Sequence, residues 1–127
     1  MKIRCEHNSI RLRIRKSELI QLRNEGWLRT SVHFPDGNEL AWELAISEHS
    51  PNLQAEFSGN IIWITLPDEA ARHWIESDQV GLEMHLASAQ GSQLHLLVEK
   101  DFPCTDRPEE DKSDFFRELA ETTPPAC

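Results

Sequence analysis

The sequence has no apolar run approaching the roughly 18 residues that a membrane-spanning helix requires. Its first residues, MKIRCEHNSIRLRIRK, contain charges throughout and no continuous apolar stretch, so they do not resemble a secretory signal. The 127 residues include only three cysteines, widely spaced and without a C-x-x-C pair, which favours free thiols in a reducing compartment. We therefore expect a cytoplasmic protein of bacterial type with no membrane partner.

The sequence also lacks the common motifs that indicate a catalytic site. The sequence contains no glycine-rich phosphate loop, no H-E-x-x-H pattern and no G-x-S-x-G turn. A Cys–His nucleophile assembled in space stays an open alternative, as does a metal- or thiol-dependent enzyme. We lean towards a protein that is not an enzyme, and we expect no cofactor.

The charge is distributed unevenly along the chain. The net charge is -9, yet residues 1–34 hold eight basic and three acidic side chains, so this segment is +5 and the remainder is -14. Such a division is typical of a polyanion-binding segment, or of two halves of one fold that attract each other. The second interpretation is the commoner one, because the acidic half competes with nucleic acid for the same arginines.

An internal repeat organises the folded part of the sequence. NSIRLRIRKSELIQLRNEGWLRTSVHF aligns with NIIWITLPDEAARHWIESDQVGLEMHL at an offset of 52, from Asn8 and Asn60. The apolar period changes from two to helical and back at the same places in both copies, and Leu22 aligns with Trp74. We predict one α+β domain of two ββαββ units, residues 1–50 and 51–102. Its eight strands would form a mostly antiparallel barrel or two packed sheets, with two helices.

Alternation also predicts the registers of two hairpins. In the first, Val32 is expected opposite Trp42, with the turn centred on Gly37. In the second, His85 is expected to face His95 across the outer side of the hairpin, with Cβ atoms about 4.5–5.5 Å apart. Two imidazoles at that distance can share a metal, but Zn²⁺ needs further ligands and neither Glu83 nor Gln93 is a compelling addition. A solvated polar pair is favoured, so we expect no metal site.

A basic strand is the candidate nucleic-acid site. Arg11, Arg13 and Arg15 alternate on one face of strand 9–15, with Arg4 on the neighbouring strand. Regularly spaced guanidinium groups can follow phosphates. The alternatives are a solvated strand face or pairing with acidic residues of the second unit. The second unit has Trp63 and Thr65 where the first has Arg11 and Arg13, so we do not expect both halves to contact a duplex equivalently.

Strand 60–66 is the candidate protein-interaction site, because it is apolar on both sides. Ile61 and Trp63 lie on one face, and Ile62, Ile64 and Leu66 lie on the other. A strand of this kind is usually buried on both faces. We therefore expect a helix, a second copy of the chain or the C-terminal tail to cover Trp63.

The tail, residues 103–127, is acidic and contains four prolines. Within it, SDFFRELAE predicts a short helix over 113–121, with Phe115, Phe116 and Leu119 forming an apolar edge. A nine-residue helix is marginal alone, so we expect it to dock on its own domain or on another protein. Cys104 is expected to be a small, partly buried thiol.

Two resemblances add to these expectations. NSIRLRIRKSEL, and again NIIWITLPDEA, resemble the hairpin, strand and helix start of AbrB-type swapped-hairpin proteins. That resemblance implies interlocked hairpins, here within one chain, and the DNA binding of that family. More of the chain, including MKIR, NSIRLRI, ESDQVGLE and LLVEKDF, is similar to a small bacterial family of unknown function.

The leading hypothesis is a non-enzymatic protein-interaction module whose partner is another protein or a second copy of the chain. The alternative is a nucleic-acid-associated regulator that uses the basic strand.

Overall fold

The computed structural model describes residues 1–102, which form two helices and eight strands in the order ββαββ, occurring twice. The elements are β1 (Lys2–Glu6), β2 (Ser9–Ile14), α1 (Lys16–Glu25), β3 (Trp27–His33), β4 (Glu39–Ser47), β5 (Gln54–Ser58), β6 (Ile61–Pro67), α2 (Asp68–Glu76), β7 (Gly81–Ala87) and β8 (Gln93–Lys100).

The strands form two four-stranded sheets, each of which combines both units. Sheet I has the order β1-β2-β8-β7 and sheet II the order β3-β4-β6-β5. Each sheet therefore joins a hairpin of one unit to a hairpin of the other, through the parallel pairs β2–β8 and β4–β6. The prediction of an α+β fold with two sheets is confirmed. Two of the three strand pairs in each sheet are antiparallel and one is parallel, so the sheets are mixed, and they do not close into a barrel.

The first hairpin of each unit turns through two residues with positive φ. These are His7 and Asn8 in the first unit (φ 50° and 55°) and Gly59 and Asn60 in the second (φ 58° and 62°). Positive φ at both central residues defines a type I′ turn, whose twist matches that of the flanking strands. Asparagine and glycine tolerate this conformation at low cost, which explains their presence here.

The second hairpin of each unit has a three-residue loop closed by a glycine. Gly37 and Gly91 end these loops with φ of 91° and 88°. In the second unit His85 pairs with His95, as predicted. In the first unit Val32 pairs with Leu40 and not with Trp42. The predicted register was wrong by two positions because the loop comprises residues 35–37, with its glycine last and not central.

This geometry also corrects the alignment of the two units. The offset of 52 holds for β1, β2 and the helices, but the pairs Leu28–Leu44 and Leu82–Val98 show an offset of 54 for the remaining strands. Val32 therefore corresponds to Leu86 and not to Met84. Residues 77–80 connect α2 to β7, whereas Gly26 alone connects α1 to β3, and α2 is one residue shorter than α1, so the net difference is two residues.

A carboxylate caps the start of α1. The helix begins at Lys16, and the Arg15 backbone N–H donates to Glu18 Oε1 at 3.0 Å. The Met1 α-amino group also donates to the Glu18 carboxylate. Burial opposes ionisation of Glu18, but hydrogen bonds from Met1 and Arg15 outweigh it, so the pKa of this carboxyl lies below its usual value.

The core lies between the inner faces of the two sheets. The predicted helix positions Leu22 and Trp74 are both fully buried, and the Trp74 indole N–H donates to the Val80 carbonyl at 3.0 Å. Because the buried helix side chains join the same apolar cluster as the inner faces, the helices pack on the inner side of the sheets. The largest fully buried side chains are Trp74, Leu12, Ile14, Leu22, Leu44, Ile64, Leu66, Leu96 and Val98.

Candidate functional site

The outer face of sheet I, called here the charged face, carries the predicted basic residues. In the β1–β2 register Lys2 lies opposite Arg13 and Arg4 lies opposite Arg11. Strand β2 ends at Ile14, so Arg15 is not part of this face. It lies at the start of α1, where its Nε contacts Glu18 Oε1 at 3.4 Å. The structure therefore brings together Arg4, Arg11 and Arg13 but not Arg15.

A carboxylate of the second unit compensates these arginines. Glu99 in β8 lies beside Arg13 in the parallel register, with Arg13 Nε 3.3 Å and Arg11 Nε 3.7 Å from Glu99 Oε1. Arg13 and Glu99 are only 8% and 9% exposed. Arg4 contacts Glu6 Oε2 at 2.8 Å. This is the pairing between units that the sequence offers as an alternative to phosphate binding. Nucleic-acid binding by this strand stays a prediction.

The charged face also holds the two predicted histidines. The rings of His85 and His95 stack with centroids 4.5 Å apart and planes 7° from parallel. The structure brings Glu83 to this pair, with Glu83 Oε1 2.5 Å from His95 Nε2. Each of the three side chains offers one potential ligand atom, and these three atoms all lie within 4.8 Å of one another. All three are accessible to solvent to some degree, and His95 is the least exposed.

The outer face of sheet II, called here the tryptophan face, includes Trp27, Arg29, Ala41, Glu43, Ala45, Ile61, Trp63 and Thr65, together with Gln54 and Glu56 of β5. Trp27 is 49% exposed, whereas Ile61 and Trp63 are partly buried. Arg29 and Trp63 flank Glu43 in the strand register. Two tryptophans thus share one sheet face with the charged side chains of Arg29, Glu43 and Glu56.

Trp63 is covered by its neighbours within sheet II. The Arg29 guanidinium carbon lies 5.3 Å from the centre of the Trp63 ring, a cation–π geometry, and the Trp63 indole N–H donates to the Ser58 carbonyl at 3.3 Å. Arg29 is held there by Glu43, whose Oε1 is 3.0 Å from Arg29 Nη2. The expected burial on both faces holds for the inner side of β6, where Ile64 is buried, but the outer side is only half buried.

The tail residues proposed for protein interaction, Phe115, Phe116 and Leu119, lie outside the described residues. Cys104 lies outside them too. Within residues 1–102 the thiol of Cys5 is exposed and free.

Trp27 is not among the site residues predicted from the sequence, and Glu83 is considered there as a ligand but is not favoured. Trp27 begins β3 on the same face as Arg29, and strict alternation from Leu28 would have placed it on the outer side. Glu83 lies two residues before His85 on the same face of β7, so its proximity follows from the predicted register. The burial of Arg13 against Glu99 had no local signal, because it depends on the parallel pairing of β2 with β8.

Comparison with known proteins identifies the family without assigning a function. None of the described helices has the length and apolar character needed to cross a membrane. No curated protein and no solved structure gives a significant match to the chain. A family model matches residues 1–119, which is most of the sequence. The chain belongs to this family, a family of unknown function designated DUF7009.

Proposed function

We propose that the protein is a protein-interaction module that self-associates through the tryptophan face. The observation that supports this is the half-exposed Trp27 on the same sheet face as the partly buried Ile61 and Trp63, away from the core. The buried side chains of the helices lie in the core between the sheets, so this face keeps its aromatic side chains at the surface of the described chain. Exposed apolar patches of this kind mark interaction surfaces.

The residue types on the face are those that contribute most to binding energy. Tryptophan and arginine are enriched among the residues whose truncation weakens protein complexes most. Trp27, Arg29 and Trp63 lie within two neighbouring rows of one sheet. Arg29 is positioned by Glu43 before any partner arrives, so little side-chain entropy is lost when it is buried.

The tryptophan face is best suited to binding a second copy of the chain. Trp27 projects next to Ala45 in the β3–β4 register, and Thr65 follows Ala45 in the β4–β6 register. A large side chain therefore lies beside a row of small ones, which a two-fold axis can make self-complementary. The Arg29–Glu43 pair contains both signs of charge, so Arg29 of each copy can form an ion pair with Glu43 of the other copy.

Light scattering on the full chain tests this proposal. The wild-type protein is expected to form a concentration-dependent dimer, and Trp63→Arg combined with Trp27→Ser is expected to be monomeric. Arginine is the residue at the position of sheet I that corresponds to Trp63, so the variant is compatible with the fold. Ile20→Ser, which removes an exposed apolar side chain from α1, is the matched control and should leave the dimer intact.

Two outcomes would contradict self-association through the tryptophan face. One is a wild-type chain that is monomeric at about 100 µM, well above the dissociation constants of specific dimers. The other is a Trp63→Arg/Trp27→Ser variant that dimerises as tightly as the wild type, because that result would show that the interface lies elsewhere.

A further inference from the structure

We propose that Glu83, His85 and His95 form a binding site for a divalent metal ion, with Zn²⁺ as the ion that the ligand set favours. This inference concerns the charged face and is independent of the proposed self-association. It starts from the convergence of two imidazoles and one carboxylate, whose potential ligand atoms all lie within 4.8 Å of one another.

The three side chains have the chemistry of a three-ligand zinc site. Imidazole nitrogen and carboxylate oxygen bind Zn²⁺ at about 2.0–2.2 Å, and two histidines with one glutamate leave a fourth position for water. Ligand atoms around a tetrahedral ion lie roughly 3.3–3.6 Å apart at such bond lengths. Binding of an ion would therefore require side-chain rotations that separate the stacked rings.

The positions are fixed by the sheet. His85 lies directly opposite His95 in the antiparallel register, and Glu83 precedes His85 by two residues on the same face. The His95 backbone N–H donates to the Asn8 carbonyl at 3.1 Å, which ties β8 to the turn before β2. Ligands held on paired strands keep their relative positions better than ligands on loops, so the cost of organising the site is low.

The nearest cation of the charged face is directed away from the cluster. Arg11 lies in the same row as Glu83 but is separated from it by Leu97. The Arg11 guanidinium faces Glu99, on the opposite side of Leu97 along β8. The Glu83 carboxylate is thus paired with His95 and is available to an ion that replaces that contact.

The repeated unit shows that the fold does not require these residue types. The positions of sheet II that correspond to Glu83, His85 and His95 hold Arg29, Ser31 and Ala41. Those residues occupy the same places in an equivalent hairpin pair and cannot form a metal site. The histidines and the glutamate are therefore not a consequence of strand pairing or core packing.

Calorimetric titration of Zn²⁺ into chelator-treated full-length protein is the direct test. We expect one ion per chain. The variant His85→Ser/His95→Ala should weaken the affinity by about tenfold or more for each imidazole lost. Its thermal unfolding should stay close to that of the wild type, because sheet II accommodates serine and alanine at these positions. Glu83→Gln retains both imidazoles and should weaken binding by a smaller factor.

A matched control separates the cluster from general histidine binding. His33→Ser removes an exposed histidine from the corresponding edge strand of sheet II, where His33 Nδ1 is 3.9 Å from Glu39 Oε2, and should leave Zn²⁺ affinity unchanged. Equal affinity in the wild type and the double-histidine variant would overturn the proposal. So would a His33→Ser effect as large as that of the double variant, or Glu83→Gln binding as tightly as the wild type.

Discussion

Sheet I carries Arg13 and Glu99 side by side on its outer face, whereas sheet II has Thr65 and Ala45 at the corresponding positions. The first pair is charged and less than a tenth exposed, and the second is uncharged and partly exposed. Inside the molecule the sheets differ far less. Leu12 corresponds to Ile64, and both are fully buried aliphatic side chains.

The comparison shows where the two halves were free to differ. Core positions must fill the same space between the sheets, so their substitutions conserve apolar character and volume. Outer positions carry no such constraint, and there the two units differ, as where Arg13 and Glu99 correspond to Thr65 and Ala45. The residue found at a position of one sheet is therefore a substitution that the fold tolerates at the corresponding position of the other sheet.

Breaking the buried ion pair should give the largest effect on stability. Glu99→Ala leaves the Arg13 guanidinium buried, with Nε and Nη2 already lacking a hydrogen-bond acceptor among the described residues, and should cost about 3–5 kcal/mol. The double variant Arg13→Thr/Glu99→Ala copies sheet II and should recover most of this loss. Urea unfolding of both singles and the double measures the coupling. A double variant as unstable as Glu99→Ala would show that the charge is not the cause.

Adding a methyl group to sheet I at residue 81 should have the next largest effect on stability. A Cβ on Gly81 would lie 2.6 Å from the Val98 carbonyl oxygen and 2.9 Å from Glu99 Cβ. Because backbone atoms must then shift, Gly81→Ala should destabilise the protein by roughly 1–3 kcal/mol. The corresponding residue of sheet II is Trp27, where Trp27→Ala should change the stability of the monomer by much less. Similar losses in both variants would contradict this difference.

The two helix starts should respond differently to acid. The pKa of Glu18 is lowered in the folded protein, so its contribution is present above the unfolded pKa and is lost as pH falls through the folded value. Glu18→Gln should cost about 1 kcal/mol at neutral pH, as for loss of a helix cap. The difference from the wild type should disappear in acid. Ala70 is the corresponding residue of α2, and Ala70→Gln is the control that should show no such pH dependence.

The smallest effect is expected at the hairpin loops. Phe34 is 48% exposed and corresponds to Ser88 in the second unit. Both residues donate their backbone N–H across the loop, Phe34 to the Asn38 carbonyl at 2.8 Å and Ser88 to the Ser92 carbonyl at 2.7 Å. Phe34→Ser keeps this bond and should change the unfolding free energy by less than about 0.5 kcal/mol. A larger loss would show that Phe34 contributes to the core.

Local patterns predicted the elements and one of the two tested registers. Alternation and helical period located all eight strands and both helices, because each depends on near neighbours in sequence. The register of the second hairpin was correct because its apolar residues alternate without interruption up to the loop. The predicted register of the first hairpin is wrong because it centres the loop on Gly37, whereas a three-residue loop places its glycine last.

The partners of each hairpin could not be predicted. Which hairpins share a sheet is decided by packing between residues far apart in sequence, such as Ser9 with His95. The burial of Arg13 depends on that choice. The meeting of His85 with His95 does not, because a hairpin brings its own strands together, and this explains why the histidine pair was predicted and the buried ion pair was not.

The exchange of hairpins between the two sheets has a consequence for synthesis of the chain. Sheet I needs β8, the last strand described, before β2 has a neighbour on its second side. The N-terminal hairpin therefore has an unpaired edge at β2 while most of the domain is translated. Folding that depends on such distant contacts is slow relative to folding from local ones. During that interval the charges along β2 disfavour pairing with other nascent chains, a protection that β6, with Trp63 on its outer face, lacks.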